Sequence, residues 1–168
     1  MDYQFKTRVY SESSLDENSI IKLSPKQSHK LVNVLRMKTS DDIIIFNNIS
    51  GEWSAKIEIN NSIVSVKCIT KIRNAKKEVG PSLIFSPLKQ ARSDWLIEKA
   101  TECGVDTLYP TLMKRTSVRN INIDRFRNNA IGAVEQTGRL SIPDIQPLRS
   151  YEEQIEICEK LNKTIIFC

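Results

Sequence analysis

Three groups of residues have the types and spacing to do chemistry. From Thr107 to Arg139 six cations (Lys114, Arg115, Arg119, Arg125, Arg127, Arg139) stand against two acids (Asp124, Glu135), a local net +4 in a chain whose formal charge is +5. Positive charge concentrated this way suits phosphate backbones. The competing reading is a solvated face, because Lys and Arg decorate most surfaces. Within the stretch, Glu135, Gln136 and Arg139 gather at the C-terminal end of an expected helix. An arginine there complements the helix dipole; equally, Gln reads a base edge and Arg clamps a phosphate or stacks on a base. Spacing alone does not separate the two. Nearer the N-terminus, His29, Asn33 and Arg36 lie at i, i+4 and i+7, one face of an expected helix that serves either solubility or RNA contact.

Other chemistries lack their residues. Cys68, Cys103, Cys158 and Cys168 are too far apart for a CxxC pair, and His29 is the only histidine, so neither a tetrahedral zinc site nor a Ser–His–Asp triad is expected. The thiols read as small hydrophobes in a reducing cytosol. Five glycines never form GxGxxG or a P-loop, which argues against a nucleotide kinase or a dinucleotide dehydrogenase. No apolar run reaches the ~18–20 residues of a membrane span, and MDYQFKTRVYSESS has no apolar stretch of signal-peptide kind. With 40% hydrophobic residues and 27% charged residues of both signs, the chain reads as globular, cytoplasmic and free of metal and membrane partners.

These side chains must be positioned by regular elements. Trp53, Ala55, Ile57 and Ile59 alternate with polar residues, and Val64, Val66 and Cys68 repeat the period, so the spacing predicts a hairpin turning at Asn60–Asn61. Gln4–Tyr10 and Ile43–Phe46 read as further strands. Ser24-Pro25-Lys26-Gln27 is a capping box with proline at the first helical position, ahead of Leu31, Val34 and Leu35. One short helix on a small sheet or barrel is expected over 1–72. A basic, Gly-Pro punctuated linker follows over 73–82. Over 83–168 strands alternate with helices: a strand at Leu83–Pro87, a helix capped by Ser93 and stopped by Gly104, a strand at Val105–Pro110, a helix from Asp124 to Gly138, and a helix opened by the capping box Ser150–Glu153. A last apolar strand is expected at Thr164–Cys168. That alternation argues for an α/β domain with a mainly parallel sheet.

The segments TRVY (Thr7–Tyr10), HKLVNVLRMK (His29–Lys38) with DDIIIFN, LIEKATECGVDTLYP (Leu96–Pro110) and AVEQTGR (Ala133–Arg139) with IPDIQP resemble, in order and through nearly the whole chain, the RsmE family. Its members are bacterial small-subunit ribosomal RNA methyltransferases that make N3-methyluridine. The resemblance implies a PUA-like RNA-binding β-barrel followed by a SPOUT-type α/β domain, an S-adenosylmethionine cofactor, a homodimer and small-subunit ribosomal RNA as partner. It places Arg8, His29 and Arg36 in the barrel's RNA grip. Arg115, Arg119 and Arg139 would hold phosphates near the target, and Gln136 would touch the base; Lys99, Glu102 and Glu135 also fall on family positions. No catalytic base and no metal ligand is assigned.

Lys114-Arg115-Thr116 stands where the family usually has Glu-Arg-Ser, keeping the arginine and reversing the charge before it. The family's glycine-rich GPEGG loop and LGxRILRxETA segment, which form a knot and hold the cofactor, are expected beyond Cys168. The SPOUT-type domain is therefore read as incomplete and the 168 residues as inactive alone, with RNA binding without catalysis as the alternative function.

Overall fold

A computed structural model describes residues 7–60, 63–76 and 78–167. Phe5 of the expected first strand, Asn61 of the hairpin turn and Cys168 lie outside the described residues. The chain divides into two units, one holding the residues up to Glu78 together with Glu135–Ser141, the other Val79–Val134 and the residues from Ile142 onward.

The first unit is built on a mixed five-stranded sheet of order β1-β3-β4-β5-β2: β1 Arg8–Tyr10, β2 Ile20–Lys22, β3 Asp42–Asn47, β4 Gly51–Asn60 and β5 Ile63–Arg73. Only β1 and β3 run parallel; the rest is antiparallel. The alternation along β4 and β5 is realised. Trp53, Ala55, Ile57, Val64, Val66 and Cys68 point into one core with Val9, Leu31, Ile43 and Ile45, and Ile59 packs at its edge. On β3 the apolar run is buried on both faces, since Ile44 and Phe46 are covered as well. Such a two-faced strand needs cover on each side, and on the far side Phe46 meets Tyr10 edge-on and the Arg8 guanidinium 3.9 Å from its ring centroid.

Ser24 and Gln27 form the expected capping box on α1 (Pro25–His29). The helix then widens into a π-turn over Lys30–Val34, with Leu35 N–H donating to Lys30 O. This departs from the expected regular helix. Arg36 lies past the helix end at φ +55, a left-handed conformation that costs a non-glycine residue about 1–2 kcal/mol. It therefore does not continue the His29 and Asn33 face.

In the second unit a parallel sheet is centred on β7 (Thr107–Leu112), which pairs with β6 (Ser82–Phe85) on one side. On its other side β7 pairs with β8 (Asp144–Ile145) and, further along, with β9 (Arg149–Ser150). The helices are α2 (Gln90–Glu102), α3 (Ile123–Thr137) and α4 (Tyr151–Lys160), the last three residues of α3 grouping with the first unit. Phe85, Ile97, Ala100, Val105, Leu108, Phe126 and Ala130 form the core. The strand–helix alternation expected from sequence is thus the architecture found.

Four local expectations are corrected. α2 starts at Gln90, ahead of Ser93, because the buried Ser93 hydroxyl is engaged by the preceding loop: it accepts from Leu88 N–H and donates to Leu88 O. The N-terminal bond of α3 comes from Asn122, whose Oδ1 accepts from Arg125 N–H, while Asp124 lies within the first turn. Helical spacing would bury Tyr151, Ile155, Cys158 and Leu161 together on α4; the helix instead buries Gln154 and Cys158 and leaves Leu161 exposed. Finally, Thr164–Phe167 form no strand and pair with no neighbour, so Ile166 and Phe167 are 81% and 75% exposed. A strand exists only with a ladder partner, and none of the described strands pairs with this segment.

Candidate nucleic-acid interface

In the first unit the residues picked out by charge fall into two kinds. Arg8 is 13% exposed; its Nε donates to Glu52 Oε1 at 2.8 Å and its Nη2 to the backbone oxygen of Arg139 at 3.1 Å. The other Glu52 oxygen takes Arg73 Nε at 3.0 Å, and Arg73 Nη2 donates to Gly138 O at 2.7 Å. Gly138 has φ +77, a conformation in which a side chain would be strained, and this turns the chain out of α3 so that its carbonyl meets Arg73. Glu135 is nearly buried and closes the arrangement: Oε1 accepts from Tyr10 N–H at 3.2 Å and Oε2 from Lys30 Nζ at 2.6 Å.

Arg139 itself is 12% exposed, with Nε 3.1 Å from Glu78 Oε2. Glu78 also accepts from Leu140 N–H at 3.2 Å and Ser141 Oγ at 2.7 Å. Burial acts to raise the Glu78 pKa; the Ser141 hydroxyl, the Leu140 N–H and Arg139 outweigh it and hold the carboxyl below its usual range. Glu78 lies within the expected linker, and Glu135–Ser141 is remote in sequence, so none of these three bonds was visible from spacing.

The second kind faces solvent. His29, Asn33, Arg36 and Gln136 are exposed. His29 and Asn33 line a cleft of about 680 Å³ with Lys22, Ile59 and Ile63. Arg36 is not among the lining residues, consistent with its place beyond the helix end.

In the second unit the six-cation stretch shrinks. Arg125 is held by Asp94 through Nε and Nη2 of its guanidinium, which together with Asn129 lowers the Asp94 pKa, the Arg125 hydrogen bond being the largest cause. Arg127 is likewise engaged. Lys114, Arg115 and Arg119 remain exposed. Arg115 lines a cleft of about 340 Å³ at the carboxyl ends of β6 and β7, together with Lys89 and Arg92, which the sequence reading did not single out. A hydrogen bond of 2.6 Å between Ser86 Oγ and Thr116 Oγ1 ties its two rims, and Thr116 Oγ1 accepts from Met113 N–H at 2.8 Å. The signal that could have found Lys89 and Arg92 is topological: in parallel sheets ligands sit at the carboxyl ends of strands.

Among the described residues no three His, Cys, Asp or Glu converge as metal ligands, and no helix is long and apolar enough to cross a membrane. Cys68 and Cys158 are buried and Cys103 is exposed; burial is the main cause that pushes the Cys68 thiol up.

The second unit is thus a parallel α/β fold with cations at the carboxyl ends of its strands, and the first a small mixed sheet. Residues 75–168 match the RNA methyltransferase domain family, and 23–67 match the RNA methyltransferase PUA domain. Ribosomal RNA small subunit methyltransferase E from Buchnera aphidicola subsp. Acyrthosiphon pisum is 32% identical over 95% of this chain and 66% of its own length. The protein of the same name from Rickettsia conorii is 30% identical over 89% of this chain and 62% of its own. That of Buchnera aphidicola subsp. Schizaphis graminum is 30% identical over 89% of this chain and 68% of its own. In fold, a Legionella pneumophila methyltransferase solved with bound S-adenosylmethionine has a TM-score of 0.80 at 24% identity, covering 89% of this chain and 65% of that one. A Neisseria gonorrhoeae ribosomal RNA small subunit methyltransferase E, also bound to the cofactor, gives 0.76 at 22%, with the same coverage. The chain belongs to the RsmE family of RNA methyltransferases, and it spans about two thirds of the length of these relatives.

Proposed function

We propose that this chain is the RNA-gripping part of a cytoplasmic enzyme that methylates N3 of a uridine in small-subunit ribosomal RNA, with S-adenosylmethionine as methyl donor and a homodimer as the active form. The observation that carries the reading is the coincidence of family membership with solvent-facing cations that pair with no carboxylate among the described residues, Arg36 in the first unit and Arg115 and Arg119 in the second. N3 lies on the Watson–Crick edge, so the target must be unpaired or extruded, and gripping the flanking strand is this chain's task. His29, Arg36 and Gln136 contact RNA from the first unit and Arg115 and Arg119 from the second. Arg8 and Arg139, tied to Glu52 and Glu78, position the segment bearing Gln136.

The cleft at Arg115 does not fit the methyl donor. Its lining is cationic, and the sulfonium of S-adenosylmethionine is cationic too. No cofactor ligand is therefore assigned among these residues. This favours a second reading in which these residues alone bind RNA without transferring a methyl group. Nucleoside analysis of small-subunit ribosomal RNA from cells with the reading frame disrupted tests the first reading: loss of N3-methyluridine is expected, and its retention at unchanged level would contradict it. Titrating the chain with S-adenosylmethionine separates the second, since micromolar binding would overturn it.

A further inference from the structure

We infer that the cleft formed by Lys89, Arg92 and Arg115 is a phosphate subsite that seats one phosphodiester of the RNA strand beside the target nucleotide. The inference rests on the RNA-binding reading and adds Lys89 and Arg92 to the grip. Three side chains lining a space of about 340 Å³ carry positive charge, and no acid lines it. Ser86, Thr116 and Ser117 supply hydroxyls at the same walls.

The loops that carry these groups are fixed. One leaves β6 and enters α2, the other leaves β7, and the Ser86–Thr116 hydrogen bond joins them. A phosphate oxygen needs donors already in place, and arginine offers a planar fork that matches it. The first turn of α2 holds no acid, and Lys89 at its N-cap makes no side-chain capping bond, so the positive end of a 13-residue helix adds to the same field. Elsewhere in this unit acids take some of the cations: Asp94 takes Arg125, and Glu98 and Glu102 take Lys99. Among the described residues no acid lines this cleft, so its positive field is left for an anion.

The test compares Lys89→Ala, Arg92→Ala and, as a control outside the cleft, Lys160→Ala. Fluorescence anisotropy with a single-stranded 12-nucleotide RNA is measured from 50 to 200 mM salt. Inorganic phosphate is titrated separately while the arginine Nε–H signals are followed by NMR. Each cleft variant is expected to weaken RNA binding three- to tenfold at low salt. Each should also flatten the log–log salt dependence by about 0.7, the value of one phosphate contact on a single strand, with the control unchanged. If RNA binds and both cleft variants keep its affinity and slope, the subsite is overturned. If the unaltered chain binds no RNA, the RNA reading fails and the phosphate arm decides. Saturable shifts of the Arg92 and Arg115 signals, lost in Lys89→Ala, then uphold a site for free phosphate, and unmoved signals overturn it.

Discussion

Glu135 Oε1 accepts a hydrogen bond from the backbone N–H of Tyr10 at 3.2 Å, joining residues 125 apart in sequence. The edge strand β1 has an unpaired side, and a carboxylate there takes one of its orphan N–H groups. The same carboxylate holds Lys30. A residue that matched the family pattern near a suspected RNA site is therefore an anchor, and its removal should be felt in stability. Glu135→Ala is expected to cost about 1–3 kcal/mol in denaturant unfolding and to speed hydrogen exchange at the Tyr10 amide, whereas Glu135→Gln keeps an acceptor and costs less. Unchanged Tyr10 protection in the alanine variant would contradict this.

Arg8 sits between Glu52, the Arg139 carbonyl and the Phe46 ring. Arg8→Ala leaves the buried Glu52 with Arg73 alone, and a loss of roughly 2–3 kcal/mol is expected. Arg8→Lys should recover little, since a point charge cannot serve both acceptors and the ring. RNA affinity of the folded fraction should then show an unchanged salt slope, unlike that of Arg115→Ala, whose slope falls.

Glu78 contributes a pH dependence whose sign follows from its depressed pKa. In the unfolded chain the carboxyl titrates near its ordinary value of about 4.3; folded, it titrates lower. Its stabilisation is thus fully present above the unfolded value and lost as pH falls through the folded one. Thermal unfolding at pH 7 and pH 3.5 should show Glu78→Gln less stable than the unaltered chain at pH 7, with the gap closing at the lower pH. A gap that widens on acidification would contradict the assignment.

Periodicity made the sheets and most helices legible. The alternation from Trp53 to Cys68 and the box Ser24–Gln27 are local signals, and both are realised. What sequence did not show was long-range. Glu78 reads as linker and Arg139 as a free cation until the fold brings them within 3.1 Å. Asp94 neutralises Arg125 from outside the counted basic stretch. Arg36 continues a helical face only if the turn at Lys30–Val34 stays α-helical, and it does not. Gln154 is fully buried on α4 because a polar side chain there meets the core, which no apolar pattern marks. The apolar run at Thr164–Phe167 satisfies the strand period, yet a strand also needs a neighbour.

The RNA grip proposed for this chain is made by exposed cations. Its most direct test is anisotropy of the unaltered chain with a fluorescent small-subunit ribosomal RNA fragment between 50 and 200 mM salt. With three to five phosphates contacted, Kd should rise roughly ten- to hundredfold over that range. A Kd that stays constant, or no binding at 50 mM salt, would contradict the grip.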